Sequence, residues 1–297
     1  MTFFFEVLIG GLLSGVMYSL VALGFVLIYK ASGVFNFAQG AMVFFAALTF
    51  VGLNEIGIPF WLCVPATLVV MILLGLATER LVLRPLVNQP QITLFMATIG
   101  LSFFIEGLAQ LTWGAAVRGL DLGIQDEPIQ MISDLTSMNV SKFDIMAAGI
   151  AAILVSVLAV FFSRTRIGRA LRAVADDHQA ALAVGIPLQQ IWGIVWAVAG
   201  AVALVAGLLW GARNGVQFAL TFVALKALPV LILGGFESIP GAIVGGLIIG
   251  ATEKLAEVFF GPYVGGGIEG WFPYVLALVF LLVRPEGLFG EKIIRRI

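Results

Sequence analysis

The sequence predicts an all-α polytopic membrane protein with about eight or nine transmembrane helices, several of them short or broken. Of its 297 residues, 61% are hydrophobic and 11% are charged, and the mean hydropathy is +1.10. Water-soluble globular domains do not have this composition. The net charge of −1 also offers no basic surface for nucleic acid, so the lipid bilayer is the expected environment.

Apolar windows of about 20 residues, long enough to cross a bilayer, mark the predicted spans. The two windows beside Gly234 are less regular, and a re-entrant segment within 216–259 would reduce nine spans to eight. No polar link is long enough to fold alone, so residues 1–297 are predicted to form a single transmembrane domain. The windows are 7–29, 34–53, 60–78, 92–113, 144–163, 190–210, 216–234, 240–259 and 271–284.

Charged residues between the windows predict the orientation of the chain. Basic residues cluster at one set of window ends, which we assign to the cytosol because cytosolic loops are rich in Lys and Arg. The acidic link 114–143 is predicted to be an extracytoplasmic loop. This arrangement places the N-terminus outside and the C-terminus in the cytosol. The basic residues used are Lys30, Arg80, Arg84, the group from Arg164 to Arg172, Lys292, Arg295 and Arg296.

The segment 164–187, RTRIGRALRAVADDHQAALAVGIP, is polar and basic and lies between two predicted spans. It predicts two cytosolic helices, the second of which ends at Gly185. Small side chains allow a helix to sit in a groove of a soluble partner, with arginines around it for polar contacts. Alternatively, the arginines only set topology and contact lipid headgroups. The candidate contact residues are Arg166, Gly168, Arg169, Arg172, Ala180, Ala181 and Gly185.

A polar stripe is predicted on the window 92–113, where hydroxyl, carboxyl and amide side chains recur every four residues. Four residues turn an α-helix about 40° past one full turn, so these side chains share one slanting face. A glutamate costs about 3 kcal/mol at the bilayer centre, so this face should line a solute path or hydrogen-bond another helix. With two amides near the start of the second window, the candidates are Asn36, Gln39, Thr98, Ser102, Glu106 and Gln110.

Glycines four residues apart predict close helix packing, because small residues let two backbones approach within lipid. The run 234–250, GGFESIPGAIVGGLIIG, also contains Glu237 and Pro240 at a predicted cytosolic turn. This combination predicts short or broken helices. The candidate packing residues are Gly234, Gly235, Gly241, Gly245, Gly246 and Gly250.

The sequence contains no enzyme motif. It lacks a GxxxxGK[ST] nucleotide-binding loop, a nucleophile elbow and a zinc motif, and His178 is its single histidine. We therefore predict no catalytic residue, no metal and no cofactor in this chain. Lys226 is a second buried-looking charge, which either extends from a helix end or lies near Glu106.

Four strings along the chain resemble one known family. They are LGFVLIYKASGVFNFAQGAM at 23–42, the segment 164–187, LKALPVLILGGFESIPGAIVGGLIIGATE at 225–253 and LVRPEGLFGEK at 282–292. In this order they are similar to the permease subunits of branched-chain amino-acid ABC importers. The resemblance runs essentially end to end, and it is specific for the family rather than for the substrate.

The resemblance implies a type II-like ABC importer permease in the bacterial inner membrane, with a small polar solute such as a branched-chain amino acid as cargo. It implies a second related permease in a heterodimer, a periplasmic solute-binding protein and two ATPase subunits, which would bind ATP and Mg²⁺. The segment 164–187 would then couple the permease to the ATPases.

Alternatives remain within and beyond this family. Relatives imply urea, short amides or aromatic acids as other cargoes, and sugar permeases share the architecture. A secondary carrier or channel would need ion-coordinating groups inside the spans, and Glu106 is the one candidate.

Overall fold

The chain is mainly helical in the part that the computed structural model describes, which covers residues 2–86, 89–124, 127–130, 138–176 and 178–290. These ranges contain no strand, and their only β pairing is two isolated bridges. The all-α fold class is therefore confirmed. Several sequence predictions fall partly or wholly outside the described residues. They are those on the loop 114–143, on the segment 164–187 at its residue Asp177, and on Lys292, Arg295 and Arg296.

Eleven α-helices make up most of this described part. A π-helical turn, Glu79–Leu83, follows α3, and 3₁₀ turns occur at Arg84–Leu86, Phe218–Phe222 and Ile268–Gly270. The helices are α1 (Thr2–Ser32), α2 (Gln39–Glu55), α3 (Phe60–Thr78), α4 (Gln91–Trp113), α5 (Lys142–Arg164), α6 (Arg166–Asp176), α7 (His178–Ala183), α8 (Leu188–Asn214), α9 (Val223–Gly234), α10 (Ile239–Val264) and α11 (Phe272–Val283).

Every predicted window falls on a helix, but the helices differ in length. Five are long and apolar enough to cross a membrane, namely α1, α3 with the turns after it, α4, α5 and α8. The pair formed by α9 and α10 is bent by 114°, where the sequence predicts broken helices, and counts as a sixth span if it crosses once. Because α2 has 17 residues and α11 has 12, the count of eight or nine spans stays a prediction.

Backbone contacts divide the chain into two compact units. Unit one contains the described parts of Met1–Ala22, Gly123–Val155 and Leu225–Ile297, and unit two contains Leu23–Leu122 and Ser156–Ala224. The single domain 1–297 stays a prediction.

Unit two is built around α2, a helix that is apolar on all sides. Its residues from Gln39 to Gly52 are all buried, as expected for a helix without a polar face. Glycines bring the other helices close: a Cβ on Gly207 of α8 would lie 2.5 Å from the Val43 carbonyl oxygen of α2. A Cβ on Gly200 would lie equally close to the Met71 carbonyl oxygen of α3. These glycines therefore set the distance between the helix axes.

Unit one is held by glycine contacts between α1 and α10, which run antiparallel. A Cβ on Gly11 would lie 2.7 Å from the Gly250 carbonyl oxygen, and one on Gly15 would lie 2.5 Å from that of Gly246. The turn between α9 and α10 uses Gly235 at φ +102, a conformation that favours glycine. Of the six predicted packing glycines, Gly246 and Gly250 lie at the contact with α1, Gly234, Gly235 and Gly241 lie at the turn, and Gly245 packs on the Val230 carbonyl of α9.

The C-terminal string RPEGLFG packs on the turn between α9 and α10. The Leu288 amide donates to the Leu233 carbonyl at 2.8 Å, and the Phe289 amide donates to that of Gly234 at 3.2 Å. These bonds satisfy carbonyls that the end of α9 would leave without a partner. The string therefore caps a helix.

Candidate functional site

A buried amide pair stands at the start of α2 in unit two. Asn36 and Gln39 are fully buried, and Asn36 Nδ2 donates to Gln39 Oε1 at 3.3 Å. Asn36 Oδ1 accepts the Ala38 amide at 3.1 Å, which fixes the entry into the helix. Gln39 Nε2 has no hydrogen-bond partner among the described residues although it is buried. Since a buried unsatisfied donor costs about 1–3 kcal/mol, this nitrogen is suited to an incoming acceptor.

Thr98 of the predicted stripe lies in the same region, next to a wall of aromatic rings. Its Oγ1 donates to the Phe35 carbonyl at 3.1 Å, which connects α4 to the loop before α2. The Phe35 ring stacks on Phe25 at a centroid distance of 4.8 Å. Phe37 meets Phe35 and Phe95 edge-on, each at 4.7 Å. The predicted residues Asn36, Gln39 and Thr98 therefore belong to one neighbourhood with these rings.

A cavity of about 350 Å³ opens beside the same loop, between the end of α1 and the start of α4. Its volume is in the range of small-molecule sites, roughly 300–1,000 Å³, and its lining is mainly apolar, as such sites usually are. The lining residues are Tyr29, Gly33, Val34, Phe35, Gln91, Ile92 and Phe95.

The rest of the predicted stripe lies further along α4 and is only half-buried. Glu106 lies about 12 Å beyond Thr98 along the helix axis. Ser102 Oγ donates to Glu106 Oε1 at 3.3 Å. Gln110 continues the line, while Phe103 beside it is 69% exposed. The stripe therefore has one buried end and one partly open end.

The segment 164–187 forms the predicted helix pair in unit two. On α6, Leu171 and Val174 are buried, whereas the arginines at 166, 169 and 172 are exposed along one side. Helix α6 packs against α7, and both contact α8.

The turn into α6 depends on Gly168 and gives two of the arginines a local role. A Cβ on Gly168 would clash with the carbonyl of Phe162. Arg169 Nη1 donates to the Arg164 carbonyl at 3.4 Å, and Arg172 Nη2 donates to the Ser163 carbonyl at 3.3 Å. These arginines therefore cap the end of α5.

Helix α7 ends in an exposed apolar turn. Gly185 adopts φ +84, as the C-cap pattern predicts, and the Ile186 amide donates to the Ala181 carbonyl at 3.0 Å. Ala181 is buried and Ala180 is exposed. Sequence reasoning missed two side chains here, Leu182 and Val184, which are 56% and 76% exposed. Both could have been recognised from the sequence as large apolar residues in a polar segment.

A hydrogen bond connects α8, which the helix pair contacts, to the wall of the cavity. Trp192, in the first turns of α8, donates its Nε1–H to the Ala31 carbonyl at the end of α1 at 2.8 Å. Tyr29 and Gly33, on either side of Ala31, line the cavity. A displacement of α6 and α7 that moves the start of α8 would therefore reach the cavity.

Lys226 lies in unit one, and its partner is Glu253 of α10, at 3.2 Å. Sequence reasoning did not single out Glu253, although a carboxylate within the predicted window 240–259 was a signal. Over the described residues, no group of three or more His, Cys, Asp or Glu is arranged to hold a metal ion.

Long apolar helices, a broken helix pair, and a cavity beside polar groups define a polytopic membrane protein with features of a solute transporter. Residues 7–284 match the family described as branched-chain amino acid transport system, permease component. The chain belongs to this family, so the membership predicted from the four strings is confirmed. It is a membrane permease component, and its role is transport rather than catalysis.

Similar permease proteins align with most or nearly all of the chain. The high-affinity branched-chain amino acid transport system permease protein LivH of Escherichia coli K12 is 28% identical over 310 residues, 99% of this chain and 98% of that protein. Its counterpart BraD of Pseudomonas aeruginosa is 28% identical over 306 residues, with the same two shares. The fructose import permease protein FruG of Bifidobacterium longum is 25% identical over 84% of this chain and 74% of that protein.

Proposed function

We propose that this chain is one of two related permease subunits of an ATP-driven importer in the bacterial inner membrane. Its cargo is a branched-chain amino acid delivered by a periplasmic binding protein, and two ATPase subunits supply the energy. The observation that carries the proposal is the near-complete overlap with LivH and BraD, together with the exposed helix pair α6 and α7.

The helix pair is the docking site for the ATPases in this proposal. Leu182 and Val184 project from a short polar segment between two membrane helices, and exposed apolar side chains of this kind suit a groove on a partner. Arg166 has no hydrogen-bond partner among the described residues, so its guanidinium is available for an acidic group at the rim. Arg169 and Arg172 contribute by fixing the turn from α5.

Contacts within each unit support the proposed orientation. In unit two, Lys30 at the end of α1 lies at the same end as the start of α8, because Trp192 bonds to Ala31. Glu55 and Arg118 form an ion pair at the other end of α2, so the beginning of the loop 114–143 lies at that end, which the proposal takes as external. In unit one, the string before the C-terminus packs on the turn at Gly235, which is consistent with the proposed cytosolic location of both.

The solute path is proposed to use the cavity of unit two and the polar stripe on α4. Glu106 is half-buried within a membrane helix, and a carboxylate facing hydrocarbon would cost about 3 kcal/mol. We therefore assign the open side of the stripe to a water-filled path or to the second permease, which would cover it.

A sugar is the second candidate cargo, because aromatic rings line the cavity and FruG is a fructose import permease. The greater overlap with LivH and BraD favours amino acids, whose branched side chains also pack on aromatic rings. A carrier that works without ATPases would have to use Glu106 for ion coupling.

Copurification tests the assembly, and reconstitution tests the cargo. The tagged chain should retain a second permease and ATPase subunits in mild detergent, identified by mass spectrometry. Proteoliposomes containing the complex, the binding protein and ATP should accumulate labelled leucine and not fructose. Leucine uptake by the chain alone without ATP would contradict the proposal, and fructose uptake would select the second cargo.

A further inference from the structure

An ion pair with unused hydrogen-bonding capacity lies in the middle of unit one. Glu253 Oε1 accepts bonds from Lys226 Nζ at 3.2 Å and from the Tyr18 hydroxyl at 3.1 Å. The Lys226 ammonium also lies 6.0 Å from the centre of the Tyr18 ring. Tyr18 and Glu253 are buried, so the pair is shielded by apolar neighbours.

The pair lies near the middle of α1 and of α10, and α1 is long and apolar enough to cross a membrane. Glu253 lies about 21 Å from the start of α10 and about 17 Å from its end, and Tyr18 is similarly central in α1. Charged groups at this depth are costly and usually mark the route of a solute or ion.

The pair is incompletely satisfied on both sides. Glu253 Oε2 is buried and has no partner within the part of the chain that the structure describes, although a carboxylate oxygen accepts about two bonds. Lys226 has three N–H donors, its bond to Glu253 uses one of them, and its side chain is 34% exposed. An unused acceptor and unused donors therefore stand side by side.

We infer that, in addition to the cavity of unit two, Lys226 and Glu253 form a binding site for the zwitterionic head group of an amino acid. The Lys226 ammonium receives the α-carboxylate, and Glu253 Oε2 receives the α-ammonium group. The site and the ligand are each neutral overall, so opposite charges compensate one another in the low-dielectric interior. This inference rests on the proposed function and deepens it, because urea or a sugar would not use both charges.

Ligand analogues that lack one charge test the site directly. Saturation-transfer NMR on the complete permease–ATPase complex in nanodiscs, without the binding protein, gives affinities for leucine, 3-methylbutylamine and 4-methylpentanoate. The wild type should prefer leucine to both analogues. Glu253→Gln should weaken leucine about tenfold but should not weaken 4-methylpentanoate, because that ligand has no ammonium group. Lys226→Gln should weaken leucine similarly but should not weaken 3-methylbutylamine.

A neighbouring ion pair provides the matched control. Lys254 and Glu269 pair at 3.0 Å in the same unit, but the Glu269 side chain is 42% exposed where that of Glu253 is 2% exposed, so Lys254→Gln with Glu269→Gln should leave all three affinities unchanged. If a single variant fails to assemble, Lys226→Gln with Glu253→Gln removes both charges together and should abolish the preference for leucine.

Three results would overturn the inference: equal weakening of all three ligands, no change in any of them, or a wild type that binds leucine no better than its analogues. Leucine uptake by the complete importer is measured separately. If uptake occurs while the analogue pattern is absent, only the site is wrong; if the complete importer takes up no leucine, the proposed function fails.

Discussion

Two neighbouring glycines on α1 should respond to alanine in opposite ways. A Cβ on Gly11 would lie 2.7 Å from the Gly250 carbonyl oxygen and 2.8 Å from the Ala251 Cα. Both are backbone atoms, so no side-chain rotation relieves the overlap and the two helices must separate. A Cβ on Gly10, one residue earlier, would meet nothing within 4 Å.

The expected magnitudes follow from two opposing terms. Alanine in place of glycine stabilises a helix by about 1 kcal/mol. Overpacking a close contact costs about 1–3 kcal/mol. Gly11→Ala should therefore lower the free energy of unfolding by up to about 2 kcal/mol, and Gly10→Ala should raise it by up to about 1 kcal/mol.

Thermal unfolding of the purified chain in one detergent measures the difference. At about 2–4 °C per kcal/mol, a difference of about 1–3 kcal/mol places the apparent Tm of Gly11→Ala roughly 2–12 °C below that of Gly10→Ala. Both variants must be scanned at the same rate, because membrane proteins often unfold irreversibly. Gly250→Ala should resemble Gly11→Ala. Equal Tm values for the two α1 variants would refute the close packing of α1 and α10.

Three further substitutions test the site in unit two. Leu182→Asp should release the ATPases and abolish their stimulation in a pull-down and phosphate-release assay, whereas Ile56→Asp, at the exposed opposite end of the unit, should not. Glu106→Gln should alter uptake kinetics while the ATPases stay bound; unchanged kinetics and unchanged Tm would remove this residue from the path. Thr98→Val should lower stability by about 1 kcal/mol and reduce uptake, whereas Thr112→Val, whose hydroxyl bonds only its own helix, serves as the control.

Local features were readable from the sequence because each is encoded within a few neighbouring residues. Apolar windows located the membrane helices, and the glycine and proline run at 234–240 located the break between α9 and α10. The pattern around Gly185 located the end of α7. The four strings assigned the family, since they occur in a fixed order between residues 23 and 292.

Within the site, the sequence identified residues without identifying their partners. Asn36, Gln39 and Thr98 were recognisable as polar groups in apolar windows, and the structure adds the aromatic wall and the cavity beside them. The exposed turn at Leu182 was missed because the prediction for this segment rested on its small residues and arginines and not on its large apolar side chains. Whether each candidate contacts cargo or an ATPase stays a prediction.

The tertiary structure alone decided which helix faces meet. Lys226 pairs with Glu253, 27 residues away, and Gly11 contacts Gly250 across most of the chain. Helix α2 is apolar on all sides, so its periodicity gives no indication that it lies at the centre of unit two. Hydropathy reports the preference of a segment for lipid or protein interior, whereas pairing depends on the shape and polarity of surfaces distant in sequence.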